Sequence, residues 1–179
     1  IYEEQGVAGA TAELSLLRRL VERKVPTPPP VATRAGDYVS ELAGKPAALF
    51  QWSPGEMRCQ KSVRPADTRK LGVALARMHL AGAGESPRPG RFDVERLLER
   101  CERIRAADAE LATSLAAGLQ VVSERRQPLP SGLIHGDLFR DNVLWQGDDL
   151  SALIDFESAS YGTYAYDLMV TTLAWCMGD

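Results

Sequence analysis

The sequence predicts an α+β fold, with helices flanking short strands and one polar turn placed between two of those strands. Three observations predict it. Apolar residues recur at helical spacing in several separate stretches. Short apolar runs bounded by Gly, Pro or Asp read as strands. From about residue 130 onward the pattern changes from long helical stripes to brief strand-like segments before a last helix.

Residues 9–24 read as the first helix, with Leu14, Leu17, Leu20 and Val21 on one stripe and Thr11 and Glu13 expected in the first turn. Pro26 and Pro28–Pro30 force an extended connection after it. Strands are expected at 31–35 and 37–42, joined at Gly36-Asp37, and a third at 46–52. Residues 66–81 form a helix with Leu71, Ala74, Leu75 and Met78 on one face. A loop at Gly82–Gly84 and 87–90 leads to helices over 92–106 and 108–125. The charged run from Glu95 to Arg103 suits a solvated helix face with ion pairs one turn apart. Strands follow at 132–135, 143–146 and 150–155, then a helix over 163–177.

The 179 residues suit one domain or a little more. The chain is 45% hydrophobic and 25% charged, as in ordinary globular proteins, and its formal charge of −3 gives no basic footprint for nucleic acid. Small molecules are the expected partners. Cys59, Cys101 and Cys176 form no CxxC pair, so neither a zinc site nor a disulfide is expected, and the thiols suit a reducing, cytoplasmic setting. No apolar run approaches the roughly 18 residues needed to span a membrane as a helix. The chain begins at Ile1 and stops at Asp179 directly after a helical stretch, and it is expected to be part of a longer protein. Oligomeric state is left open.

The chemistry is concentrated in Leu133-Ile-His-Gly-Asp-Leu-Phe-Arg-Asp-Asn-Val-Leu-Trp145, which contains HGDxxxxN. Beyond it an apolar strand, Ala152-Leu-Ile154, runs into Asp155-Phe156-Glu157. Phosphoryl transfer needs few protein groups: one carboxylate to orient and deprotonate the acceptor hydroxyl, and two oxygen donors to hold Mg2+ against the ATP phosphates. Asp137 is the candidate base, with Asn142 and Asp155 the candidate Mg2+ ligands. A strand–loop–strand hairpin between 133 and 155 would bring them to one edge. Asp, Asn and Gly also favour plain turns. The apolar strand ending in Asp155, a hairpin's length away, weighs for the site.

These residues carry a resemblance. LIHGDLFRDNVLW, then SALIDFESAS and YDLMVTTLAWC, resembles the C-terminal lobe of the aminoglycoside phosphotransferase and choline kinase superfamily. The homoserine kinase branch is the most similar, through Asp-Leu-Phe-x-Asp-Asn at 137–142, Tyr-Asp-Leu at 166–168, Trp175-Cys176, the 71–82 helix, and the opening Ile-Tyr-Glu with Val-Pro-x-Pro at 25–28. The resemblance implies a protein-kinase-like fold: a partial N-lobe and inter-lobe linker over 1–52, and a C-terminal catalytic lobe, truncated at its end, over 53–179. It implies ATP and Mg2+ as cofactors and a small-molecule hydroxyl as acceptor, most closely homoserine, on the way to threonine. An aminoglycoside, choline or another amino alcohol is the alternative acceptor, and a non-catalytic kinase-like binding module the alternative of another class.

The resemblance also implies roles. His135 and Asp167 would support the loop. Leu49 to Trp52 resembles the linker, so Phe50, Gln51 and Trp52 would bind adenine, with a core strand as the competing reading. Glu13 would pair with a phosphate-binding Lys, or be an ordinary first-turn acid. Arg140, Asp141 and Glu157 are candidate substrate contacts. His79, Trp145 and Trp175 read as packed residues. The sequence departs from the pattern in lacking a GxGxxG loop and in placing Lys24, Lys45, Lys61 and Lys70 in loops or at element edges. Weak ATP binding and little turnover are therefore expected of these 179 residues alone.

Overall fold

The computed structural model describes residues 1–3, 5–84, 90, 93–125 and 127–177. The first helix, α1, spans Val7–Glu22 and buries Ala10, Glu13, Leu14, Leu16, Leu17 and Leu20. It starts earlier than the sequence suggests, behind Gly6, which offers no capping side chain. Glu13 therefore lies inside the helix and is buried, not in its first turn. The helix ends where Lys24 adopts a left-handed φ of 61°. There Lys24 N donates to Val21 O and Val25 N to Leu20 O, closing the last carbonyls.

The proline run then crosses the molecule in extended form, accepting from Leu153 N at Pro26 O (2.7 Å) and from Gln51 N at Pro29 O (2.9 Å). The strands beyond it differ from expectation. β1 (Pro30–Val31) pairs antiparallel with β4 (Leu49–Phe50), while β2 (Ser40–Leu42) pairs with β3 (Lys45–Ala47). The tight turn is Ala43-Gly44, both at positive φ as a two-residue hairpin requires. Gly36-Asp37 closes only a local turn, with Gly36 N on Thr33 O. Residues 46–52 thus divide between two sheets, because the chain leaves one ladder at Ala47 and joins another at Leu49.

Helix α2 (Pro65–Ala81) has Pro at its start and Asp67 accepting from Arg64 N, and buries Leu71, Ala74, Leu75 and Met78. Helices α3 (Val94–Ile104) and α4 (Ala109–Glu124) pack on each other, α4 being capped by Asp108 through Leu111 N. Apart from Gly90, the turn expected at 87–90 lies outside the described residues, as does the first residue of the helix expected from 92.

Past residue 130, β5 (Ser131–Ile134) pairs with β8 (Ser160–Thr163), a strand the sequence did not suggest, and β6 (Val143–Gln146) pairs with β7 (Asp149–Leu153). The expected hairpin between 133 and 155 is therefore two separate ladders with the polar turn between them. Helix α5 (Tyr164–Cys176) follows β8 directly. One core joins all of this: Leu17 and Leu20 of α1, Leu75 and Met78 of α2, Leu153 of β7 and Trp175 of α5 belong to the same buried cluster. None of the helices among the described residues is long and apolar enough to cross a membrane.

Candidate functional site

The ladder of β5 and β8 ends at Ile134 opposite Ser160, so His135 and the segment 155–159 leave the same end of the sheet. His135 is fully buried, its ring 4.6 Å from that of Phe156. Its Nε2 lies 3.1 Å from Ile154 O, which can only accept, so Nε2 carries the proton. Its Nδ1 is buried with no hydrogen-bond partner. Burial lowers the His135 pKa, with Asp167 opposing, so the ring is neutral at neutral pH.

Asp167, fully buried in the first turn of α5, holds the next step of the chain. Its carboxylate accepts from His135 N at 2.9 Å and Gly136 N at 2.8 Å, and meets His79 Nε2 of α2 at 2.8 Å. The His79 ring stacks on Tyr164, centroids 4.4 Å apart. Further along, Leu138 O accepts from Trp175 Nε1 (3.0 Å), and the Arg140 guanidinium donates to Ala174 O. Helix α5 thus grips the turn at three places. Gly136 has φ +81°, and a Cβ there would lie 2.7 Å from Ser158 O. Gly136→Ala should therefore cost about 1–3 kcal/mol of stability, read from the denaturant midpoint.

Asp137 comes next, and a short 3-10 turn, Arg140–Asn142, brings Asn142 back beneath it. Asn142 Nδ2 donates to Asp137 O at 2.7 Å and to Asp137 Oδ2 at 3.3 Å. Both partners are acceptors, so the amide orientation is fixed and Oδ1 is left as its ligand atom. Ile154 N donates to Asn142 O (3.0 Å), which places Asp155 one residue from the strand that follows Asn142. Asp155 is exposed at a left-handed φ of 61°, with Oδ1 accepting from Glu157 N at 3.4 Å. Burial raises the Asp137 pKa, and the negative charges of Asp155 and Asp141 add to it, against His135 and the Asn142 hydrogen bond. The structure therefore brings Asp137, Asn142 and Asp155 into one electrostatic neighbourhood.

A cleft of about 770 Å3 opens beside this turn. Its lining includes Asp155, Phe156 and Glu157 together with Phe50, Gln51 and Trp52. Trp52 is 90% exposed, so its ring is available to a flat ligand. Glu13 lines the cleft floor, where it accepts from Tyr2 Oη (3.1 Å) and Gln5 Nε2 (3.2 Å). Burial raises the Tyr2 pKa, with Glu13 adding to it. Asp137 and Asn142 do not line this cleft; they join it through the Asn142–Ile154 hydrogen bond. Asp141 is exposed, and Arg140 is engaged with α5.

Sequence reasoning missed Tyr2 as the partner of Glu13, and the part His79, Arg140 and Trp175 play in clamping the turn. Trp175 and His79 sit on apolar helix faces, where packing explains them equally well. Tyr166 stands near the base: burial raises its pKa, followed by the charge of Asp137.

Across residues 1–179 the sequence matches the phosphotransferase enzyme family. It is 36% identical to a homoserine kinase of Methylobacillus glycogenes, covering 99% of this chain and 56% of the relative. To a homoserine kinase of Rhodospirillum rubrum it is 39% identical, covering 91% of this chain and 52% of the relative. The chain spans about half the length of the curated relatives it matches. Among solved structures, amicoumacin kinase hAmiN, determined in complex with AMP-PNP, Ca2+ and Ami, superposes with a TM-score of 0.76 at 17% identity, covering 95% of this chain and 54% of that one. Spectinomycin phosphotransferase with ADP and spectinomycin gives a TM-score of 0.63 at 16% identity, covering 88% and 56%. The fold is the protein-kinase-like one these structures share.

Proposed function

The chain belongs to the phosphotransferase enzyme family, and from that premise we propose that the full-length protein is a homoserine kinase, transferring the γ-phosphoryl group of Mg-ATP to the homoserine hydroxyl. One observation carries this reading: Asn142 donates through Nδ2 to the Asp137 loop and accepts at its carbonyl from Ile154 N, so that two carboxylates and an amide oxygen belong to adjoining segments. Relatives named homoserine kinase at 36% and 39% identity support the acceptor.

Asp137 orients the acceptor hydroxyl and takes its proton as the new O–P bond forms and the bond from the γ-phosphorus to the bridging oxygen of the ADP leaving group breaks. A bound Mg2+ would neutralise charge gathering on the phosphate oxygens. Among the described residues no three His, Cys, Asp or Glu side chains form a ligand cage. Mg2+ is held by one or two protein oxygens together with water and phosphate. Asn142 Oδ1 and the Asp155 carboxylate would be those two. Phe50, Gln51 and Trp52 hold the adenine through their backbone and the exposed Trp52 ring. Glu13, which also lines the cleft, would pair with a phosphate-binding Lys of the full-length protein. His135 and Asp167 fix the turn, and Glu157, two residues past Asp155, is a further cleft acid and candidate substrate contact. The same reading divides the chain into a partial N-lobe and linker over 1–52 and a catalytic lobe over 53–179, and places the enzyme in the cytoplasm, in threonine synthesis.

The test is an assay of the full-length gene product with Mg-ATP against homoserine, choline and an aminoglycoside. Homoserine should be the favoured acceptor. No ATP turnover with any of the three, or preference for an aminoglycoside, would overturn the reading. Asp155→Asn should lower turnover on the order of 10² or more and remove the Mg2+-dependent part of the thermal shift given by ATP.

A further inference from the structure

A second cavity, of about 790 Å3, lies next to the turn and is lined in part by Gly136, Tyr166 and Ser158. The chain passes from one cavity to the other within a single peptide: Glu157 lines the first and Ser158 the second. Gly136, the residue before Asp137, faces the second cavity, and the Asp137 charge is felt at Tyr166 on its wall. Asp137 itself lines neither cavity; Gly136 lines the second, and Asp155, whose charge acts on Asp137, lines the first. Phosphoryl transfer needs its base between acceptor and phosphoryl donor.

The chemistry of the second cavity differs from that of the first. Its wall carries Asp93, Glu95 and Arg125, opposite charges on one surface. The Asp93 carboxylate is held in place by Gly90 N at 2.7 Å. Arg125 follows the last turn of α4, where its guanidinium can take a planar carboxylate through two parallel hydrogen bonds. A polycationic acceptor would meet Arg125 as a repulsive charge. A zwitterion would meet a partner for each end.

Resting on the kinase reading above, we infer that the second cavity is the acceptor pocket and that it selects a small zwitterionic amino alcohol, with Arg125 binding the carboxylate and Asp93 the ammonium group. Neither Arg140 nor Asp141 lines this cavity, and Glu157 belongs to the first.

Three acceptors separate the two contacts: homoserine, 4-hydroxybutanoate, which lacks the ammonium group, and 3-amino-1-propanol, which lacks the carboxylate. Full-length wild type, Arg125→Ala and Asp93→Asn are assayed with each, and KM is also measured for ATP. Arg125→Ala should raise KM for homoserine and 4-hydroxybutanoate by about tenfold or more and leave 3-amino-1-propanol unchanged, as expected when one charge-assisted contact is lost. Asp93→Asn should do the converse. KM for ATP and the melting temperature should stay at wild-type values in both. Equal effects of each variant on all three acceptors, or none, would overturn the pocket assignment while wild-type turnover of homoserine left the kinase reading standing. Wild-type inactivity towards homoserine would instead overturn the reading on which the pocket rests.

Discussion

Asp137→Asn in the full-length protein is expected to lower kcat by about 10²–10⁴ without lowering its melting temperature, the loss typical of a missing general base. Asparagine keeps the shape of the side chain and can still accept from Asn142, so the turn should persist. Stability should rise, and the sign follows from the pKa. Burial raises the folded pKa of Asp137 above its ordinary value, so the folded state binds the proton more tightly than the unfolded chain. The ionised carboxylate therefore opposes folding at neutral pH. That cost is absent below the ordinary value of about 3.9, grows as pH rises towards the folded pKa, and is complete above it. The variant's thermal advantage over wild type should be full at pH 7 and should shrink as the pH is brought down towards 4. A variant of unchanged kcat would remove Asp137 from the chemistry. One that melts lower at pH 7 would show that its charge is compensated in the fold.

Asp167→Ala should be the most damaging single change to stability, at about 3–5 kcal/mol, because it strips a buried carboxylate from several partners at once. Two amide hydrogens, those of His135 and Gly136, would be left buried without an acceptor, and His79 would keep its stacking on Tyr164 but lose its carboxylate partner on α5. A loss of that size is a large share of the 5–15 kcal/mol of a typical domain. Asp167→Asn should fall between, since its NH2 group must face at least one of the same donors. Urea midpoints of the three proteins measure the series. If Asp167→Ala unfolds within about 1 kcal/mol of wild type, the turn has other support and the clamp described above does not govern it.

Much of this was legible in the sequence because it is local. Leu71, Ala74, Leu75 and Met78 specify α2 by their spacing alone, and the expected 66–81 differs from Pro65–Ala81 by one residue. Asp137, Asn142 and Asp155 could be singled out because phosphoryl transfer asks for few oxygens in a known order. What failed was pairing at a distance. Ser160-Tyr-Gly-Thr163 has a glycine, three hydroxyl residues and no apolar alternation, so nothing marks it as a strand until Leu133 and Ile134 are found opposite it. The turn at Gly36-Asp37 is real, but the residues around it find ladders elsewhere. Glu13 was placed in a first turn because Gly6 carries no capping side chain to signal the earlier start. Arg140 reads as a candidate substrate contact in the sequence; only the fold reveals that its guanidinium donates to Ala174 O.

The pairing of β5 with β8 has a consequence for the order in which the protein becomes competent. Synthesis proceeds from the N-terminus, so the side chains at 137, 142 and 155 leave the ribosome before the strand and helix that fix their backbone. A nascent chain that stops after Phe156 would hold Asp137, Asn142 and Asp155 but lack the β8 ladder and the Asp167 carboxylate that hold the backbone at His135 and Gly136. Competence waits on a segment made after these residues, β8 and α5, whose own sequence contributes no proposed ligand to the metal.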